Sequence, residues 1–260
     1  LSRETLINPP RLINVDQRVK YGAVQALTGM AETALADLEQ LASQMIGESN
    51  DSTRDLVNHH RALMLAWSIV DQADLLRHLI ASEGNKIDLP EKTQFLAAAS
   101  DVQKVRNWMR HIPQRIDAFK AMKEPMPPIL GALSFATVVR ASIDLKAGAC
   151  VDDRHVLEYH AVILINTALE RSVQLKGAPM PFRQFRIPVD HFVLQAFGVL
   201  LPLGDIVALM SKFCDALAAG VDRWLDEQRA EMSASATDVS EMFDPQFGPG
   251  HIYRMIAKRD

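Results

Sequence analysis

The residues of this chain best suited to chemistry stand close together: Arg106, Asn107, Arg110, His111 and Arg115. Four residues separate the arginine from the histidine in the run Arg106-Asn107-Trp108-Met109-Arg110-His111. Imidazole titrates near neutral pH, so it can accept or donate a proton. Guanidinium keeps its charge and offers phosphate oxygens a planar fork of donors. Together these groups suit cleavage of RNA by its own 2′-hydroxyl, which needs a base, an acid and positive charge against a crowded phosphorane. In this reading Arg106, His111 and Asn107 are catalytic. Asn107, four residues before the histidine on the same helical face, orients the imidazole or the phosphate. Arg110 and Arg115 hold substrate phosphate. On a straight helix Arg106 and His111 project roughly 140° apart. Two copies of the motif facing each other across a dimer would supply the base from one chain and the acid from the other.

Other constellations carry less. The same spacing recurs at Arg54–His59 and at Arg186–His191, the latter broken by Pro188, and a looser one joins Arg154 to His160. His59 and His60 are adjacent, about 100° apart on a helix, and cannot grip one metal ion together. Asp74 and His78 stand four apart, a spacing read here as a salt-linked helix surface. Cys150 and Cys214 lack metal-type spacing, and Cys214, beside Phe213 in an apolar pattern, reads as a packed thiol. No phosphate-binding loop, nucleophile elbow or dinucleotide fingerprint is present in the sequence. Neither a cofactor nor a metal is expected.

The Arg106–His111 motif, with a polar residue directly after the arginine, resembles the signature of the HEPN (higher eukaryotes and prokaryotes nucleotide-binding) superfamily. The resemblance covers the motif, its helix and the order of long helices before it, about residues 15 to 123. It implies an all-helical bundle that dimerises and, in many members, a metal-independent ribonuclease of toxin or antiviral type. Nothing after Pro128 takes part in it.

The elements that must position these residues are mostly helical. Val19, Ala23, Leu27, Met30, Ala34, Leu38, Leu41 and Met45 follow at steps of three and four, one stripe of a helix that Gly47 stops. Ser52-Thr53-Arg54-Asp55 opens a second helix towards Ser82, apolar nearly all round between Ala62 and Val70. A third covers roughly Glu91 to Lys123, kinked or interrupted at Pro113, with Val105, Trp108, Met109, Ile112, Ile116 and Phe119 as its apolar stripe. Pro125, Pro127 and Pro128 end this bundle.

The period then changes to two. Residues 133 to 145 alternate as a strand with one buried face, 156 to 165 read as strand or as part of a helix over 153–175, and Phe185 to Val199 as an edge strand. A last helix starts near Gly204-Asp205, with Asp205 as N-cap, runs to about Met232, and buries Ile206, Leu209, Phe213, Leu217, Val221 and Leu225. The expected fold is therefore mainly α with a smaller β part: residues 1–14 as an extension, 15–128 as an antiparallel bundle, 129–200 strand-bearing, 201–232 a helix returning to the bundle, and 233–260 a tail ending in a short basic amphipathic stretch.

Composition sets the outer bounds. The chain has 260 residues, 48% hydrophobic and 23% charged, enough apolar content for a full core. Its formal net charge of -4 argues against wrapping long nucleic acid, so any RNA contact is local. Two cysteines and the lack of a long apolar run point to a soluble, cytoplasmic protein without membrane association. Two functions are carried forward: a dimeric, metal-independent endoribonuclease in a toxin or defence role, with RNA and a second copy as partners, and a non-catalytic helical protein that binds a protein partner.

Overall fold

The computed structural model describes residues 3–47, 52–82, 88–113, 131–140, 156–164 and 192–234. It is mainly helical: long packed helices, a small antiparallel sheet and a long C-terminal helix. Among the described residues the complete helices are α1 (Glu4–Ile7), α2 (Val15–Gly47), α3 (Ser52–Ser82), α4 (Pro90–Arg110) and α5 (Leu203–Ala234). The 33 residues of α2 make a rod of about 50 Å. It packs along α3, and α5 lies against α2, α3 and α4.

The buried face of α2 differs from the expected stripe in its first half. Val24, Thr28 and Ala31 are buried there, whereas Val19 and Met30 are exposed. Thr28 tolerates burial because its hydroxyl donates to the Val24 carbonyl at 2.9 Å, so no polar group is stranded. From Ala34 through Leu38 to Leu41 the expected stripe holds. On α3 the apolar middle is buried at Ala62, Leu63, Leu65, Ala66, Ile69 and Val70, but Met64 is exposed.

Helix α4 begins at Pro90, where the missing N–H costs nothing, and closes at Arg110 with His111 as its C-cap. The interruption expected at Pro113 falls two residues earlier: α4 closes at Arg110, His111 is a turn, and Ile112 and Pro113 are again helical. Residues 114–130, with Ile116 and Phe119, lie outside the described residues.

Among the described residues the sheet has four strands in the order β2-β1-β3-β4, all neighbours antiparallel: β1 (Ala132–Arg140), β2 (Val156–Leu164), β3 (Val193–Ala196) and β4 (Val199–Pro202). Residues 156–164 are therefore strand and not helix. β1 pairs with β2 from Ala132↔Leu164 to Arg140↔Val156 and with β3 from Ala132↔Gln195 to Ser134↔Val193. As a central strand it does not alternate in burial: Ala132, Leu133, Ser134 and Phe135 are all buried. The segment expected as one strand to Val199 instead supplies two short strands joined at Phe197-Gly198, while residues 165–191 lie outside the described residues.

Leu133, Leu194 and Leu201 from the sheet join Leu38, Ile69, Phe95 and Phe213 from the helices in a single hydrophobic core. At the sheet–helix junction the Leu203 N–H donates to the Phe192 carbonyl at 2.8 Å. Helix α5 starts at Leu203, so Asp205 sits inside its first turn, near the positive end of the helix dipole, and not at the N-cap. No helix among the described residues is long and apolar enough to cross a membrane.

Candidate functional site on helices α3 and α4

The last turn of α4 brings Arg106, Asn107, Arg110 and His111 to one end of the helix. Burial of Phe95, Ala99, Val102 and Val105 fixes the rotation of α4 about its own axis. That rotation leaves Asn107, Arg110 and His111 exposed and Arg106 half-buried.

Arg106 and Arg110, one turn apart, lie against two aspartates of α3. The Arg106 Nε stands 2.7 Å from Asp71 Oδ1. This is an ion contact and not an aligned hydrogen bond, because that oxygen, although buried, has no hydrogen-bond partner. Arg110 approaches Asp74 Oδ2 at 3.7 Å. Asp74 is the hub: its side chain is 4% exposed, and Oδ1 also meets Arg77 at 3.0 Å and His78 Nδ1 at 3.5 Å. A carboxylate so deeply placed requires cationic partners, and it has them. Asp74 is thus salt-linked to Arg77 and Arg110, with the His78 ring beside it. No group of three metal-binding side chains is present among the described residues.

Burial pushes the Asp71 carboxyl above the usual carboxylate range, with the negative charge of Asp74 adding to the shift and Arg106 and Arg110 opposing it. Locally three guanidinium groups (Arg77, Arg106 and Arg110) stand against two carboxylates, so the face is slightly positive in an acidic chain.

Trp108 and Phe197 hold this end of α4 to the sheet. Their rings stack with centroids 5.6 Å apart and planes 15° from parallel. Phe197 adopts φ 52°, followed by Gly198 at φ 78°, the two positive angles of a type I′ hairpin turn between β3 and β4. A phenylalanine in that conformation is strained, and contact with Trp108 offsets the strain.

Four of the five sequence-derived site residues thus lie along the end of α4, while Arg115 lies outside the described residues. Asn107 and His111 share no hydrogen bond. Of the alternative matches, the Arg54 side chain and all of Arg186–His191 and Arg154 lie outside the described residues. Sequence reasoning missed Asp71 altogether. Its only signal was its place one turn before Asp74, which says nothing about a facing helix.

A second polar cluster was also missed. Arg3 Nε donates to Asp215 Oδ1 at 2.6 Å, and its Nη1 donates to both Glu32 oxygens at 2.9 and 3.1 Å. The Ser211 hydroxyl donates to the same glutamate at 2.6 Å. Beside this cluster Cys214 is fully buried, and burial pushes its thiol up to about 11. That thiol stays protonated and inert at neutral pH, as befits a packed side chain. Comparison with protein-family models, with curated proteins and with solved structures finds no match to this chain.

Proposed function

We propose that this chain is an RNA-directed helical protein whose α3–α4 face binds phosphate, and that it cleaves RNA there without a metal ion. One observation carries the reading: Arg106, Asn107, Arg110 and His111 lie at one accessible end of α4, on a face with more guanidinium groups than carboxylates. In the proposed reaction the 2′-oxygen attacks the adjacent phosphorus and the P–O5′ bond breaks. A base removes the 2′-hydroxyl proton and an acid protonates the departing 5′-oxygen. The products are a 2′,3′-cyclic phosphate and a 5′-hydroxyl. His111 supplies one of these proton transfers, and the His111 of a second copy supplies the other. Arg106, exchanging Asp71 for phosphate, stabilises the phosphorane charge. A toxin or defence role and dimerisation belong to this same proposal.

A second reading rests on a different feature. Arg106 and Arg110 already face Asp71 and Asp74, so the network is also what a non-catalytic protein would use to lock α3 to α4. Such a protein would act by binding a protein partner.

Incubation of the purified chain with a mixed RNA pool in EDTA separates the two. Cleavage leaving 2′,3′-cyclic phosphate ends is expected, falling about 100-fold or more in His111→Ala and in Arg106→Ala. Cleavage unaffected by both substitutions rules out this site, and no cleavage in any RNA pool favours the binding protein.

A further inference from the structure

Away from the arginine-rich face, a cavity of about 380 Å³ opens between the start of α2, the residues leading into α4, and the middle of α5. Its size falls within the range of small-molecule sites. Ile13, Leu217 and Val221, all buried, give it an apolar floor. Tyr21 and Trp224 add two aromatic rings, and Trp224 is 40% exposed, high for so large an apolar side chain. Asp88 is the one charged residue of the lining, and no lysine, arginine or histidine lines the cavity among the described residues.

Gly220 is the unusual member of this lining. It sits near the middle of a 32-residue helix, where glycine is among the poorest helix formers. Packing does not require it there, because a Cβ at that position would meet nothing within 4 Å. What the missing side chain does is leave the α5 wall of the cavity open. Leu217, Gly220, Val221 and Trp224 share one face of α5, at steps of three, one and three residues.

From this chemistry we infer that the cavity is a binding site for a small organic cation carrying an apolar tail. The tail covers the floor of Ile13, Leu217 and Val221, where apolar contact is favourable. The charged head lies by the carboxylate of Asp88 and the face of Trp224, both of which attract cations. An anion of the same shape would meet Asp88 with no compensating positive charge among the described residues of the lining, so the site discriminates by sign. The inference is independent of RNA cleavage.

Isothermal titration with hexyltrimethylammonium tests it, with hexanoate and 1-hexanol as the anionic and neutral controls. The cation is expected to bind saturably and more tightly than either control. Asp88→Asn, at an exposed position, should weaken the cation about fivefold and leave hexanol unchanged. Gly220→Leu should abolish binding by filling the cavity, with Tm equal to or above that of the unaltered chain, since leucine is the better helix former and the space is open. Three results overturn the proposal: no saturable binding of the cation, binding of hexanoate as tight as that of the cation, or cation affinity unchanged in both variants. A synthetic peptide of residues 251–260 is the final arm. If it binds while the cation does not, the occupant is a basic peptide and the small-cation assignment fails.

Discussion

Two aspartates set the character of the α3–α4 face at the scale of single residues. Asp74 is held by the guanidinium groups of Arg77 and Arg110, whereas Asp71 has, among the described residues, only Arg106 at ion-pair distance and a buried oxygen without a hydrogen bond. Folding raises the Asp71 pKa, so the folded chain holds that proton more tightly than the unfolded one. The resulting stabilisation is present below the ordinary carboxylate range and is lost as pH rises through the raised value. Asp71→Asn removes this titration. Between about pH 4 and pH 7 the variant should therefore gain stability relative to the unaltered chain, read as the difference in urea midpoints. A difference that stays flat with pH would sink this account. The same substitution releases Arg106, so RNA should bind more tightly at neutral pH, with a steeper salt dependence.

At the scale of elements, the geometry of the β3–β4 hairpin depends on helix α4. Phe197 sits at positive φ and stacks on Trp108 of α4. Phe197→Asn puts a residue at ease with that conformation into the turn but removes the stack. It should destabilise the chain by about 1 kcal/mol, the worth of an aromatic pair partly offset by relief of strain. In a Trp108→Ala background the same change should be neutral or stabilising. Equal costs in both backgrounds, measured by urea unfolding, would show that the stack carries nothing. This hairpin also marks where the sequence was hard to read. Phe197-Gly198 lacks the asparagine or aspartate that announces a type I′ turn, so two short strands looked like the end of one. The long helices were legible because their apolar spacing runs for several turns. The stripe of α2 slipped where Thr28, a polar residue by type, is buried on its own carbonyl. The strand at 156–164 could not be told from a helix by Val162-Ile163-Leu164 alone, and its identity comes from pairing with β1.

For the whole molecule, the decisive contacts are those no local pattern encodes. Arg106 and Arg110 were recognisable as chemistry-bearing residues, but their pairing with Asp71 and Asp74 belongs to the packing of α3 on α4. The segment before α2 read as an extension; instead Leu6 and Ile13 are buried in the core, and Arg3 bridges Glu32 of α2 and Asp215 of α5. Arg3→Ala leaves two carboxylates facing each other without their common cation. A loss of roughly 1–3 kcal/mol is expected, visible as a lower urea midpoint. Adding Glu32→Ala should cost less in that background than alone, and strict additivity would deny the bridge. The bridge also places an order on assembly. Arg3 and Asp215 are 212 positions apart, so during synthesis at cellular rates the acceptor emerges about 10 to 40 s after the donor. Glu32, by contrast, follows almost at once. The nascent chain can thus couple α1 to α2 early, yet the final latch is set only when α5 has left the ribosome.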